Sequence, residues 1–203
     1  MVTSLPPRRE PYMVSFRPTR PVTNGDLEQL SYTNPGVRFE RGAGGELIVS
    51  PTGTIGGRGE SELTFQLESW ARRDGRGFVT SSSAGFSLPD GSILSPDGAW
   101  TSYERWNVLS DKQRKGYAHI APDVVFELLS PSDIFRDARA KAGAYLANGT
   151  CLVVLLDPDS RSVELHRANR APVAHTPADI VALDPEMPGF YLNAAAIFKQ
   201  MEN

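Results

Sequence analysis

PDVVFELLSPSD, residues 122 to 133, decides the fold. Its Val, Phe and Leu residues suit a buried strand, yet it carries Asp123 and Glu127, and ionised carboxylates bound for a core need partners or a use. The next stretch, SDIFRDARAKAGAYLAN, predicts a helix over 133–147, with Ser132 or Asp133 as N-cap and Asn148-Gly149 as its stop. CLVVLLDP and RSVELHR then read as a buried strand and its partner, joined by the turn Asp157-Pro158-Asp159-Ser160. Strand, helix, strand in this order predict a right-handed crossover inside a mixed sheet.

Upstream, VRFERGAGGELIVSP alternates apolar and polar residues on both sides of a Gly-rich tip, Gly42 to Gly45, which is a hairpin signal. GRGESELTFQLESWARR sets Leu63, Leu67, Trp70 and Ala71 at helical spacing and predicts a helix over 58–73. YERWNVLSDKQR predicts a short helix over 103–114, and PGFYLNAAAIFKQ a terminal one. Residues 1–22, rich in Pro and Arg, read as an arm, and 23–203 as one domain.

The chain has 203 residues, 40% apolar and 22% charged, which suits a globular protein with a real core rather than a disordered one. Its longest apolar run, CLVVLL, is far short of the roughly 20 residues a membrane span needs, so the expectation is a cytoplasmic protein without a membrane partner. The one cysteine, Cys151, lies in that run and reads as a core residue. A net charge of −3 argues against nonspecific coating of nucleic acid but leaves room for an acidic metal site with a basic rim.

Three acids stand out: Glu62 in the first helix, Asp97 in SPDGAW, and Glu127. Hard cations such as Mg²⁺ take oxygen ligands, commonly one or two carboxylates completed by water and substrate phosphate. Asp123 and Glu127 share a strand face but lie about 13 Å apart along it, so Asp97, from another extended segment, is the better partner for Glu127. The residues alone leave alternatives open. Glu127 and Glu62 also suit solvated positions, Asp97 suits an ordinary turn after Pro96, and Lys141 suits a solvated helix face above Tyr145.

Other chemistries have less support. His119, His166 and His175 lack zinc-site spacing; GAGG precedes a strand and lacks the lysine of a phosphate loop; no GxSxG elbow occurs.

SPTG at 50–53, ELTFQL at 62–67, SPDGAW at 95–100, PDVVFELLSPSD, KAGAYLANG at 141–149 and LLDPDSRSVELHR at 155–167 together resemble the Uma-two family, restriction-endonuclease-like proteins numerous in cyanobacteria. The resemblance implies a PD-(D/E)XK nuclease fold, a mixed α/β sheet flanked by helices, and a phosphodiesterase dependent on Mg²⁺ or Mn²⁺. It implies that Asp97 and Glu127 hold the ion, that Glu62 supports it, and that Lys141 is the catalytic lysine displaced onto the following helix. The fold's usual lysine position, two residues after the acid, falls here on Leu129, so the motif reads Glu-Leu-Leu. The expectation is a DNA endonuclease that works as a homodimer, with Arg72, Arg73, Arg76, Lys112, Arg114 and Lys115 as candidate backbone contacts. The alternative is a nuclease fold that no longer cuts and serves as a nucleic-acid-binding or assembly module.

Overall fold

A computed structural model describes residues 14–51, 53–130 and 134–202. Two sheets organise them. The larger has six strands in the order β11-β10-β9-β8-β7-β4. These are β4 (Gly77–Ser81), β7 (Gly98–Ser102), β8 (Val124–Leu128), β9 (Leu152–Asp157), β10 (Ser162–His166) and β11 (Val173–His175). The strand announced by PDVVFELLSPSD is β8. It pairs antiparallel with β7 and parallel with β9, which makes the sheet mixed.

The parallel pair is joined by helix α5 (Phe135–Ala147), the crossover expected from the strand, helix, strand order. Alternation along β8 divides the core. Val124, Phe126 and Leu128 face helix α2 (Thr54–Asp74), packing with Leu63, Leu67 and Trp70. Val125 and Leu129 face α5, packing with Ala142 and Tyr145. Burying both faces explains why β8 reads as an apolar run instead of an amphipathic strand. Helix α6 (Ala194–Met201) lies beside α2 and adds Ile197 and Phe198 to the first layer.

The smaller sheet has the order β1-β3-β2-β6-β5. Its strands are β1 (Val14–Phe16), β2 (Val37–Arg41), β3 (Leu47–Pro51), β5 (Phe86–Ser87) and β6 (Ile93–Leu94). The expected hairpin is β2–β3, its register running from Val37 opposite Pro51 to Arg41 opposite Leu47. Helix α1 (Asn24–Thr33) covers this sheet through Leu27, which joins Phe39, Leu47 and Ile93. A third, two-stranded sheet pairs β12 (Ile180–Ala182) with β13 (Tyr191–Asn193).

Several expectations shift. The helix of 103–114 is two short ones, α3 (Tyr103–Asn107) and α4 (Asp111–Arg114), each started by a serine cap, Ser102 and Ser110. The N-cap of α5 is Ile134, and Ser132 and Asp133 lie outside the described residues. Of the expected arm, 14–16 pair with β3 as strand β1, and 1–13 lie outside the described residues. Cys151 is not a core residue. It precedes β9 in an exposed bend, where its Sγ accepts a hydrogen bond from Arg105 at 3.2 Å.

Candidate active site

The two sheets meet where the chain passes from one to the other. It leaves the smaller sheet at Leu94 and enters the larger at Gly98, so Ser95, Pro96 and Asp97 form the crossing. A cavity of about 580 Å³ opens at this seam, lined by both sheets, the first turns of α2 and the inner face of α5.

Asp97 is fixed from two sides. Its backbone N–H donates to the Phe126 carbonyl, and its Oδ2 accepts the Leu128 N–H at 2.7 Å, which carries the β7–β8 ladder one step past Gly98. Its Oδ1 accepts from Arg38 at 2.8 Å. Arg38 comes from β2, where alternation sends Val37 and Phe39 toward the small core and Arg38 and Glu40 toward the cavity. A carboxylate on one sheet thus grips a guanidinium on the other.

Glu127, buried on β8, faces α5, and there Lys141 reaches it. The ammonium lies 2.9 Å from Glu127 Oε1 and donates to Oε2 at 3.1 Å. Glu40 approaches the same ammonium at 3.0 Å from the opposite sheet, and its Oε1 also accepts the Ser95 N–H at 2.6 Å. The Ser95 carbonyl accepts from Lys141 at 3.3 Å. Leu129, at the usual lysine position, is instead buried with Ala142 and Tyr145. The helix thus brings an ammonium to the acid that the strand does not provide.

Glu62, expected to support the ion, is not among the residues brought together. Its carboxylate accepts from Gln66 at 2.9 Å, on the side of α2 where Gln66 also bonds Asn193. Glu60, two residues earlier, lines the cavity, 3.5 Å from Arg38, and accepts from Ser82 at 2.6 Å. Gly59 allows α2 this approach, since a Cβ there would stand 2.7 Å from Leu128 Cδ2 and 2.8 Å from Met201 Sδ. The sequence reading also missed Arg38 and Glu40. Asp123 lies outside the cluster and anchors the strand entry, its Oδ2 accepting the Ser102 N–H at 2.7 Å and its Oδ1 2.9 Å from Arg105. None of the six expected backbone-contact cations lines the cavity.

Glu40, Glu60, Asp97 and Glu127 outnumber Arg38 and Lys141 by two charges when all are ionised. The pocket answers this excess with protons. Burial, together with Asp97 and Glu40, pushes the Glu127 carboxyl up to about 8, although Lys141 pulls the other way. Burial and Asp97 also raise Glu60. Burial works against the charge on Lys141 and Arg38, but the carboxylates around them outweigh it and both stay firmly protonated.

A divalent cation suits the same deficit. Among the described residues no three His, Cys, Asp or Glu side chains already form a metal cage. A hard ion held by one or two carboxylates, with water and phosphate completing its shell, does not need one. The donors facing the cavity, the carboxylates of Glu40, Glu60, Asp97 and Glu127, are all oxygen, the ligand type a hard cation takes. The residues fit such an ion.

The chain belongs to the Uma2 family, described as "Putative restriction endonuclease", whose model matches residues 25–195. The fold is similar to a crystal structure described as "a putative nuclease belonging to DUF820" from Anabaena variabilis ATCC 29413. The TM-score is 0.69 at 19% identity, covering 87% of this chain and 98% of that one. No curated protein matches the chain. No helix among the described residues is long and apolar enough to cross a membrane.

Proposed function

We propose that the protein is a Mg²⁺- or Mn²⁺-dependent endodeoxyribonuclease that hydrolyses phosphodiester bonds at the seam between its sheets. The observation that supports this best is the convergence of Glu127, Lys141 and Glu40 on one ammonium–carboxylate cluster, with Asp97 at the crossing beside them.

Asp97 and Glu127 would hold the ion, and the Leu128 N–H fixes the Asp97 carboxylate through Oδ2, which leaves Oδ1 facing Arg38 and the cavity. A divalent ion there supplies Lewis acidity toward a phosphoryl oxygen and lowers the pKa of water. Lys141 carries the positive charge that steadies the phosphate as negative charge builds on it, and Glu40 and the Ser95 carbonyl keep that ammonium over the pocket. Glu60 takes the supporting place expected of Glu62, because α2 turns Glu60 toward the cavity. Asp97 and Glu127 are themselves buried, which strengthens their interactions with Arg38 and Lys141.

The test is incubation of the purified protein with single- and double-stranded DNA and Mn²⁺, beside Glu127→Ala and Lys141→Ala proteins. Cleavage by the native protein that both substitutions abolish supports the enzyme. Equal background in all three supports the non-cutting module instead, a reading favoured by Leu129 filling the usual lysine position with core.

A further inference from the structure

We infer that Arg38 is a phosphate-gripping catalytic residue that Asp97 holds in reserve, and that a divalent ion binding Asp97 releases it to the substrate. The inference rests on the nuclease reading and adds to it a residue that neither the family match nor the fold comparison assigns.

The geometry carries the argument. Among the described residues the cavity is lined by only two cations, Lys141 and Arg38. Lys141 is committed between two carboxylates, Glu127 and Glu40, at 2.9 and 3.0 Å. Arg38 is held less fully. One nitrogen meets Asp97 at 2.8 Å and reaches the Ser95 carbonyl only at 3.5 Å, while the other stands 3.5 Å from Glu60, beyond a strong charge-assisted bond. Its side chain is 16% exposed and that of Lys141 21%, and both line the cavity, so what separates the two cations is their pairing and not their exposure.

Charge decides which partner it keeps. Without an ion, Asp97 is the closest counter-charge for Arg38 and the pair is favourable. A divalent ion on Asp97 puts a like charge next to the guanidinium and cancels the attraction that held it. The Leu128 N–H engages Oδ2 and Arg38 engages Oδ1, so an ion taking this carboxylate would do so in competition with the guanidinium. A phosphodiester entering with the ion then offers two anionic oxygens, which a planar guanidinium matches with paired hydrogen bonds and an ammonium does not. The exchange keeps a cation in the pocket at each stage, so no buried carboxylate is left bare. Linkage makes it reciprocal: if the ion weakens the Arg38–Asp97 pair, the pair weakens the ion.

The test uses the full chain. Mn²⁺ binding is measured by titration calorimetry without nucleic acid, and stopped-flow anisotropy then reads binding of a labelled single-stranded oligonucleotide to the Mn²⁺-loaded protein before turnover. Arg38→Met is expected to bind Mn²⁺ about tenfold tighter, because Asp97 loses its competitor. The same protein is expected to bind the oligonucleotide about tenfold more weakly. Arg38→Lys keeps the charge and loses the fork, so it should match the native Mn²⁺ affinity and share the weakened oligonucleotide binding.

An Arg38→Met protein that melts normally and binds Mn²⁺ no tighter than the native chain overturns the exchange, and does so even if the native chain cuts DNA. Native protein that binds no oligonucleotide with Mn²⁺, beside a tighter-binding Arg38→Met, overturns the phosphate half together with the nuclease reading. Should Arg38→Met fail to fold, the Arg38 side-chain ¹⁵N signal of the native protein, assigned with Arg38→Lys, must move on adding Mg²⁺; a signal that stays still overturns the inference.

Discussion

Lys141 lies 2.9 Å from Glu127 Oε1, although one sits on a helix and the other on the strand before it. The pair is mostly buried, so its value is the cost of breaking it. Lys141→Met takes from Glu127 and Glu40 the ammonium they share and leaves Arg38 as the remaining cation of the cavity. Removing one partner of a buried pair costs about 3–5 kcal/mol. Urea unfolding at pH 9 with a chelator present should show that loss. It should shrink at pH 6, where Glu127 takes up a proton and needs no partner. Equal loss at both pH values would show that the ammonium does not compensate that carboxylate.

Glu127 also gives the native protein a pH dependence. Its folded-state value of about 8 lies above the ordinary carboxyl value of 4.5, so the native state holds a proton that the unfolded state has lost. This contribution is fully present below pH 4.5 and disappears as pH rises through about 8. Between those limits stability should fall by up to about 1.4 kcal/mol per pH unit. Glu127→Gln removes the slope. Chemical denaturation across pH 5 to 9 should find the substituted protein gaining on the native one as pH rises; parallel curves would refute the assignment.

Glu60 and Glu62 should behave oppositely. Glu60→Gln removes a carboxylate from the cavity and should weaken Mn²⁺ binding about tenfold, in the range of groups that support metal ligands. Glu62→Gln changes a carboxylate bonded to Gln66, and its effect on stability should stay within about 0.5 kcal/mol. Calorimetric titration of both proteins decides the matter, and the reverse ranking would return the supporting role to Glu62.

Cys151 should react in the native protein. Its thiol lies in an exposed bend beside Arg105, so a chromogenic disulfide reagent should titrate one thiol per chain without denaturant. Protection until unfolding would return the residue to the core.

Much of this architecture was legible in the sequence. The β8–α5–β9 unit announced itself through its composition and its Asn148-Gly149 stop, though not through its N-cap, and the β2–β3 hairpin through alternation around Gly42 to Gly45. Glu60 was legible too, since it falls in phase with Leu63 and Leu67, at intervals of three and seven, on the buried stripe of α2; Glu62 is out of phase. Arg38 and Glu40 were not legible. In VRFERG they look like the solvated face of a hairpin, because nothing local says that a second sheet will close over it. Cys151 misled because an apolar run shows composition but not where the strand begins, and β9 begins one residue later. Helix α1 buries only Leu27, which leaves hardly any periodicity to read.

The Arg38–Asp97 clasp and the Lys141 bridge draw one charged pocket from residues spread over more than a hundred positions, on both sides of a seam. No fragment emerging from the ribosome holds a competent centre before α5 has been synthesised and has docked, because domains acquire their long-range contacts as units. The chemistry proposed for the pocket would therefore wait on complete assembly, which would serve as its safety catch.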